Sequence, residues 1–440
     1  MLEAEVLVIG GGIAGLVAAA KTADEGLEVL VVDKGSGATY QSAGVVDVMA
    51  YPPSQGLFLN PLKGVEVTVK TTPTHPYAII GRGNGEESVR RVKEAVEYFI
   101  DLTSSGIRLE GDIERNVILM NTIGSFKVTC LAPHTIFNGK VDDLSDASLL
   151  IAGFRGLLGF NPAFCASGAE YIASKFNVNL KEAMYTWLSH PRLRKFNLTF
   201  IELARMMDDD EFRKELGEAL RKAVAEREAT HIALPTLGFE SPEENMKVIE
   251  EEAGAKVFEL ISPPPSIPGQ RMVKILEECV RKRKVRVIRG YKAAGFREEN
   301  MRVKEIILES GEKKIPVRVG ACILATGKFI GGGLTEEEDM VKEAVFGLPV
   351  YDGRGQPLDE RKIPKLLVRD PFSQQPLIAC GVKVNPQMKP LTLRGKPYEN
   401  LFAAGSIISG YDYVKERSGV GVAAATGYFA GLNATYCLKR

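Results

Sequence analysis

The sequence predicts an α/β chain whose parallel sheet is assembled from both ends of the sequence, with a large insert between them. Three observations carry this. The opening stretch AEVLVIGGGIAGLVAAA (4–20), followed by LEVLVVD (27–33), reads as strand, glycine turn, helix and second strand. Strand patterning returns late, at KVRVIRG (284–290) and MRVKEIILESGEKKIPVRVGACILATG (301–327). The closing run NLFAAGSIISGYDYVKERSGVGVAAATGYFAG (400–431) reads as a short strand, a glycine-bearing loop and an alanine-rich helix.

In the opening unit, residues 6–9 form a short apolar run of the parallel-strand type. Gly10, Gly12 and Gly15 make G-x-G-x-x-G, with Ile13 and Ala14 inside the turn, and Leu16, Val17 and Ala20 continue at helical spacing. Gly10 permits the tight turn, Gly12 lets the backbone approach a pyrophosphate, and Gly15 lets helix and strand pack closely. The helix N-terminus offers N–H groups to the anion. Asp33, followed by Lys34, stands where a carboxylate accepts hydrogen bonds from ribose hydroxyls. The unit predicts a Rossmann-like dinucleotide-binding domain. The motif alone does not separate NAD from FAD.

Composition narrows the class. The chain has 440 residues, room for two domains or for one with an insertion. Lys and Arg together number 56, as do Asp and Glu, so no net field marks a nucleic-acid or membrane partner. The six cysteines (130, 165, 279, 322, 380 and 437) include no C-x-x-C pair. That spacing argues against a disulfide framework, a zinc knuckle or an iron–sulfur segment on this chain, and it fits a reducing cytoplasm. No metal site is expected. No apolar run reaches about 18 residues, so no transmembrane helix is expected, and the glycine-broken opening reads as a buried strand rather than a signal peptide.

From about residue 50 to 265 the strand–helix alternation gives way to amphipathic helices. SVRRVKEAVEYFIDL places Val89, Val92, Val96, Phe99 and Ile100 on one face. DDDEFRKELGEALRKAVAER begins with acids at 208–210, read as a helix cap rather than a metal site. SPEENMKVIEEEAG carries a capping box, with Ser241 as N-cap, Pro242 at N1, Glu244 at N3 and Gly254 as the stop. RMVKILEECVRKRK is a further helix whose basic end suits the dipole. The expected division is therefore 1–50 as the first part of the nucleotide domain, 51–268 as an inserted cap or substrate domain and 269–345 as the second part. Residues 346–390 are expected to return to the cap, and 391–440 to complete the nucleotide domain. Trp187 is expected in a core.

Two features select a flavin over NAD. Ala325, Thr326 and Gly327 give a buried strand a small-residue end, allowing close approach of a ligand at the crevice. Gly405 and Ser406 repeat that pattern, and Gly419, Val420, Gly421 and Val422 then open the last helix, whose N-terminus is expected to face the flavin ring. One elongated cofactor held by both termini points to FAD.

ILATGKFIGGGL (323–334), EAVFGLPV (343–350), PPPSIPGQRM (263–272) and the closing segment resemble the B subunit of anaerobic glycerol-3-phosphate dehydrogenase. HPYAIIG (75–81) and NTIGSFKVT (121–129) are similar too. The resemblance implies a flavoprotein oxidoreductase subunit working beside a catalytic FAD subunit and an iron–sulfur subunit. The reaction it implies is oxidation of glycerol 3-phosphate to glycerone phosphate, with electrons leaving to a quinone. It also implies a cytoplasmic chain, held at the inner face of the membrane only through partners. The family's B subunit is usually assigned FMN; the full dinucleotide fingerprint here favours FAD. A further likeness to fumarate-reductase-type flavoproteins covers Ser42, Ala43 and Gly44, a small-residue loop beside the flavin. The ERSG at 416–419 departs from related chains.

Candidate chemistry rests on Arg271, Arg417 and Lys328, each a cation beside a flavin-type or Pro-bound segment, for a small anionic substrate. Ser266 is a candidate hydroxyl. His75, His134, His190 and His231 have no paired spacing and read as loop or core residues. Three functions stay open: a substrate-oxidising subunit, an electron-relay or assembly subunit, and a stand-alone FAD dehydrogenase for another small acidic substrate.

Overall fold

The computed structural model describes residues 2–189, 191–193, 197–337, 340–358, 366–370, 373 and 375–439. Two units divide the chain. The first is Met1–Thr39, Asp47–Gly106 and Val273–Arg440; the second is Tyr40–Val46 and Ile107–Met272.

In the first unit the apolar opening run is buried as the strand Leu2–Ile9. It lies between Val29–Asp33 and Lys313–Leu324, parallel to both. Arg286–Arg289 extends the sheet beyond Val29–Asp33, again parallel. On the other side Lys313–Leu324 turns into an antiparallel meander with Arg302–Ser310 and Lys292–Glu299. Its last residues pair with Leu401–Ala403 in parallel. Strands from both ends of the chain thus share one sheet, the expected Rossmann-like arrangement, and the structure adds a β-meander to it. Residues 301–327, where strand patterning returns, form two strands, the second of them 12 residues long.

The last helix, Gly419–Lys439, is apolar on nearly every face and buried along most of its length. Its small residues allow a close approach to the opening helix Ile13–Asp24. A Cβ at Gly427 would strike the carbonyl of Ala14, and one at Gly431 would lie 2.6 Å from that of Ala18.

The expected domain boundaries need correction. Residues 47–106 belong to the first unit rather than to an insert. Their helix Gly85–Thr103 buries Val92, Val96 and Phe99 and ties to both other helices. Tyr98 donates to Asp24 at 2.6 Å, and Tyr428 donates to Glu94 at 2.8 Å. Residues 346–390 also fall in the first unit, where Val350–Tyr351 pairs with Gly381–Val382 and Val382 bridges to Ile408.

The second unit corrects the reading of 50–265 as helical. Four parallel strands stand in the order Lys256–Glu259, His231–Leu234, Ser148–Phe154, Glu182–Leu188. Helices Pro162–Lys175, Phe200–Met207, Asp210–Arg227 and Pro242–Ala253 alternate with them. Strand–helix alternation therefore persists through the region. Trp187 is on the edge strand and 39% exposed, not in a core. Asp209 caps its helix by accepting from Phe212 N–H, Asp208 accepts from Phe239 and Glu240 N–H, and Asp210 pairs with Arg213. Gly254 ends the next helix in the left-handed region at φ 76°, but the Ser241 side chain makes no cap bond.

Candidate functional site

The site is built from the carboxyl ends of the first unit's parallel strands. Gly10 turns out of Leu2–Ile9 at φ 118°, a region that favours glycine. A side chain there would collide with the Ala325 carbonyl, and one at Gly15 with the Gly10 carbonyl. The 10–15 turn and the 325–327 turn therefore meet backbone to backbone. Gly12 is the N-cap of Ile13–Asp24 and offers no side-chain cap. Ile13 N–H donates to Thr39 Oγ1 at 3.3 Å; among the described residues the N–H groups of Gly12, Ala14 and Gly15 have no acceptor. A Cβ at Gly12 would have only Thr39 Oγ1, at 3.3 Å, within reach. Thr39 is a residue the motif reading missed; it lies just past the strand–helix–strand unit, in a turn with no fixed spacing.

Asp33 ends the second strand. Burial pushes its carboxyl up, against the pull of the Gly35 N–H, the Arg289 charge and the Gly11 and Lys34 N–H groups. Lys34 is exposed, its ammonium beside Gly332 in the loop that follows Gly327. Thr326 Oγ1 is buried with no hydrogen-bond partner. Gly405 lies against Ala14, its N–H donating to Thr426 Oγ1 at 2.8 Å, and a Cβ at Gly327 would lie 3.5 Å from Ser406 Oγ. The structure thus brings together residues 10–15, 33, 325–327 and 405–406.

The last helix is held differently from the expectation. Val420 N–H donates to Asp47 Oδ1 at 3.1 Å and Gly421 N–H to the Asp47 carbonyl at 2.8 Å. Val422 N–H bonds to Ser418 O. The buried Asp47 carboxylate thus takes the helix end that was expected to reach the flavin ring. Gly421 is a packing glycine, since a Cβ there would lie 2.8 Å from Val48 Cα. Asp47 was missed because its partners lie more than 370 positions away in the chain.

Ser42, Ala43 and Gly44 belong to the second unit, where Gly44 packs closely on Pro268. The structure does not support Arg271 as a substrate ligand. Its guanidinium is buried, forked onto Glu259 at 2.7 and 2.8 Å and bonded to the Gly238 carbonyl. Ser266 is fully buried, accepting from Gly269 N–H. Lys328 is 5% exposed, donates to the Ile378 carbonyl and lies over the rings of Tyr411 and Tyr413. Burial lowers its ammonium to about 8, with Cys380, Asp412 and Glu416 opposing. Arg417 is half-buried at φ 53°. His75 caps a helix and bonds Glu416, His134 bonds Glu110, and His231 bonds Thr230. His190 lies outside the described residues.

The donor set can be tested against a flavin dinucleotide. Uncapped N–H groups at a helix start suit a pyrophosphate. Asp33 supplies an acceptor for ribose hydroxyls, and the Thr326 hydroxyl lacks any internal partner. The residues fit the group. Fold and site define a chain that grips a dinucleotide with segments from both ends. A family model described as an FAD binding domain matches residues 5–367 and 339–422, and the chain belongs to that family. Its cofactor is FAD, and it is an FAD-dependent oxidoreductase.

Curated relatives match over nearly their whole length. The B subunit of the anaerobic glycerol-3-phosphate dehydrogenase of Pectobacterium atrosepticum is 28% identical over 95% of both chains. The probable B subunit of the Halobacterium salinarum enzyme is 28% identical over 98% of this chain and 97% of that one. These matches bear out the resemblance seen in the motifs. Among solved structures, the 3-ketosteroid Δ1-dehydrogenase of Sterolibacterium denitrificans aligns over 99% of this chain and all of that one, with TM-score 0.45 and 12% identity. A flavocytochrome c3 fumarate reductase aligns over all of this chain and 79% of that one, with TM-score 0.44 and 11% identity. Among the described residues no helix is long and apolar enough to cross a membrane, and no group of three or more His, Cys, Asp or Glu could hold a metal.

Proposed function

We propose that this chain is the flavin-bearing B-type subunit of a glycerol-3-phosphate dehydrogenase complex. In this reading glycerol 3-phosphate is oxidised to glycerone phosphate at this chain's flavin, and electrons pass to a quinone through a second FAD subunit and an iron–sulfur subunit. Membrane association comes only through those partners. The observation that supports it is coextension: relatives that carry this subunit name match end to end, and this chain keeps an uncapped dinucleotide cradle. FAD, when bound, supplies a two-electron acceptor. The chain's own residues do the rest. Gly12, Ala14 and Gly15 hold the pyrophosphate by their N–H groups, Asp33 orients the ribose, and the 325–327 and 405–406 turns line the crevice. Lys328 places a buried positive charge one residue beyond Gly327.

A second reading is a flavin relay with no substrate site of its own. It is favoured by one observation, the commitment of Arg271 to Glu259. Anaerobic reduction of the FAD-loaded chain by glycerol 3-phosphate, alone and with the partner subunits, separates the two. Bleaching of this chain's flavin by substrate alone supports the first. Bleaching only with the catalytic FAD subunit supports the relay. No bleaching in any combination rejects both.

A further inference from the structure

We propose that the open edge of the second unit's sheet pairs with the same edge of a second copy of this chain, making a two-fold dimer through Glu182–Leu188. The proposal does not depend on which substrate is oxidised.

Glu182–Leu188 is the outer strand of the four-stranded sheet and runs parallel to Ser148–Phe154. Its two ends show which way its backbone points. Glu182 N–H donates to the Ala147 carbonyl at 3.4 Å, and the Leu188 carbonyl accepts from Arg155 N–H at 3.0 Å. Backbone groups in a strand alternate in direction, so Glu182, Met184, Thr186 and Leu188 turn theirs toward Ser148–Phe154. Ala183, Tyr185 and Trp187 turn their N–H and C=O groups outward. Among the described residues nothing pairs with these groups.

An open edge is a template for another strand, and proteins blunt it with charge, proline or a covering element. Residues 183–188 contain no charged residue and no proline. Tyr185 is 48% exposed, and Trp187 lies exposed two residues on, on the same face of the strand. Both are side chains that interfaces favour.

The pattern of the strand selects a second copy as the occupant. Ala183, Tyr185 and Trp187 are complementary to themselves when run in the opposite direction. A two-fold axis at Tyr185 sets Tyr185 against its own counterpart and Ala183 against Trp187, both ways round. Each opposed pair exchanges both of its backbone bonds, so every outward group of the three residues is paired. An axis at any other residue leaves at least one of the three facing outside the set. The alanine leaves room for the indole opposite it, and the two phenol rings meet at the axis. Met184 then faces Thr186 and Glu182 faces Leu188, so no like charges are opposed. Basic and acidic residues number 56 each, so two copies meet without net repulsion.

Sedimentation velocity of the FAD-loaded full-length chain over a concentration series tests this. Wild type should be a reversible dimer. Tyr185→Lys sets two like charges opposite each other at the axis; it should keep its flavin content and weaken the dimer roughly tenfold or more. Trp187 is the chain's only tryptophan. Its emission should move to shorter wavelength as wild type associates and stay fixed in Tyr185→Lys. Cysteines test the register. On mild oxidation Tyr185→Cys should give a covalent dimer. Glu182→Cys, about 20 Å from its counterpart in this register, should cross-link no more than wild type. A wild type that stays monomeric at every concentration overturns the proposal. So does a dimer that Tyr185→Lys leaves unchanged, or one that Glu182→Cys cross-links as readily as Tyr185→Cys. If Tyr185→Lys fails to fold, the two cysteine variants decide alone. A monomeric wild type whose binding to partner subunits is lost in Tyr185→Lys assigns the edge to a partner's strand and overturns self-pairing.

Discussion

Both units contain a parallel strand that feeds a helix through a glycine-bearing loop, and they finish the helix start in opposite ways. In the second unit Ser148–Phe154 leads to Pro162–Lys175. Pro162 has no N–H to satisfy, and Asn161 Oδ1 accepts from Ala163 at 3.0 Å and Phe164 at 3.2 Å. In the first unit the cap residue is Gly12, and the N–H groups of Gly12, Ala14 and Gly15 are left without acceptors among the described residues. Buried cations repeat the contrast. Arg271 is ion-paired with Glu259, whereas among the described residues Lys328 makes no ion pair: it donates to a carbonyl and lies over two ring faces, with Asp412 and Glu416 acting on it from further away. At its helix start the second unit supplies its own acceptor, and that turn is scaffold; the first unit leaves N–H donors there that a ligand completes.

The largest expected effect removes the satisfied pair. Arg271→Met should destabilise the protein by roughly 3–5 kcal/mol, because it leaves the Glu259 carboxylate buried and unpaired. Urea unfolding measures this. A loss under about 1 kcal/mol would mean Arg271 is not the counter-ion that makes Glu259 tolerable. The flavin content of the folded fraction should not change.

Gly12→Val acts on the open helix start. Little in the protein itself resists a side chain at 12, so the apoprotein should fold with nearly unchanged stability. FAD affinity should fall at least a hundredfold, roughly 3 kcal/mol, because the side chain takes the space of the phosphates. Released-chromophore analysis and apoprotein unfolding check the two halves. Retained FAD would show that the pyrophosphate does not lie over residues 10–15.

These contrasts were unequally legible in the sequence. The glycine turn, Asp33 and the 325–327 end could be read because their mechanics are local. The second unit's sheet could not, because His231–Leu234 and Lys256–Glu259 are only four residues long and Ser148–Phe154 is buried on both faces, leaving no alternation. The roles of Arg271 and of the last helix depended on Glu259 and Asp47. Those pairings are set by tertiary packing, and residue spacing does not encode them. Trp187 looked like core by type alone, and its edge-strand position is a topological fact.

Lys328 sharpens the comparison through pH. Its ammonium titrates near 8 in the folded chain and at its ordinary 10.5 when unfolded. Below pH 8 both states hold the proton, and folding bears the full cost of burying the charge, roughly 3 kcal/mol. Between 8 and 10.5 the unfolded chain binds more protons, so this group's contribution to stability rises with pH. Lys328→Met should remove that rise. The stability of the variant relative to wild type should be greatest below pH 8 and should fall by roughly 3 kcal/mol by pH 10.5. Unfolding at about pH 7, 9 and 10.5 measures it. A difference that does not vary with pH would mean Lys328 is not buried as an ammonium.

The smallest effects exchange the two helix starts. Asn161→Ala withdraws the acceptor for Ala163 and Phe164 and should cost about 1 kcal/mol of stability, with FAD affinity unchanged. Gly12→Ser does the reverse. Its hydroxyl can accept an N–H of the first turn of Ile13–Asp24, and glycine is already a tolerable cap, so the apoprotein should gain only a few tenths of a kcal/mol. That same hydroxyl competes with the pyrophosphate for the donors, so FAD should bind more weakly while the apoprotein becomes no less stable. Denaturant midpoints of the apoproteins and FAD titrations of both variants give the quantities needed. If Gly12→Ser leaves FAD affinity intact, the free N–H groups are not what holds the cofactor, and its grip must come from the 325–327 and 405–406 turns instead.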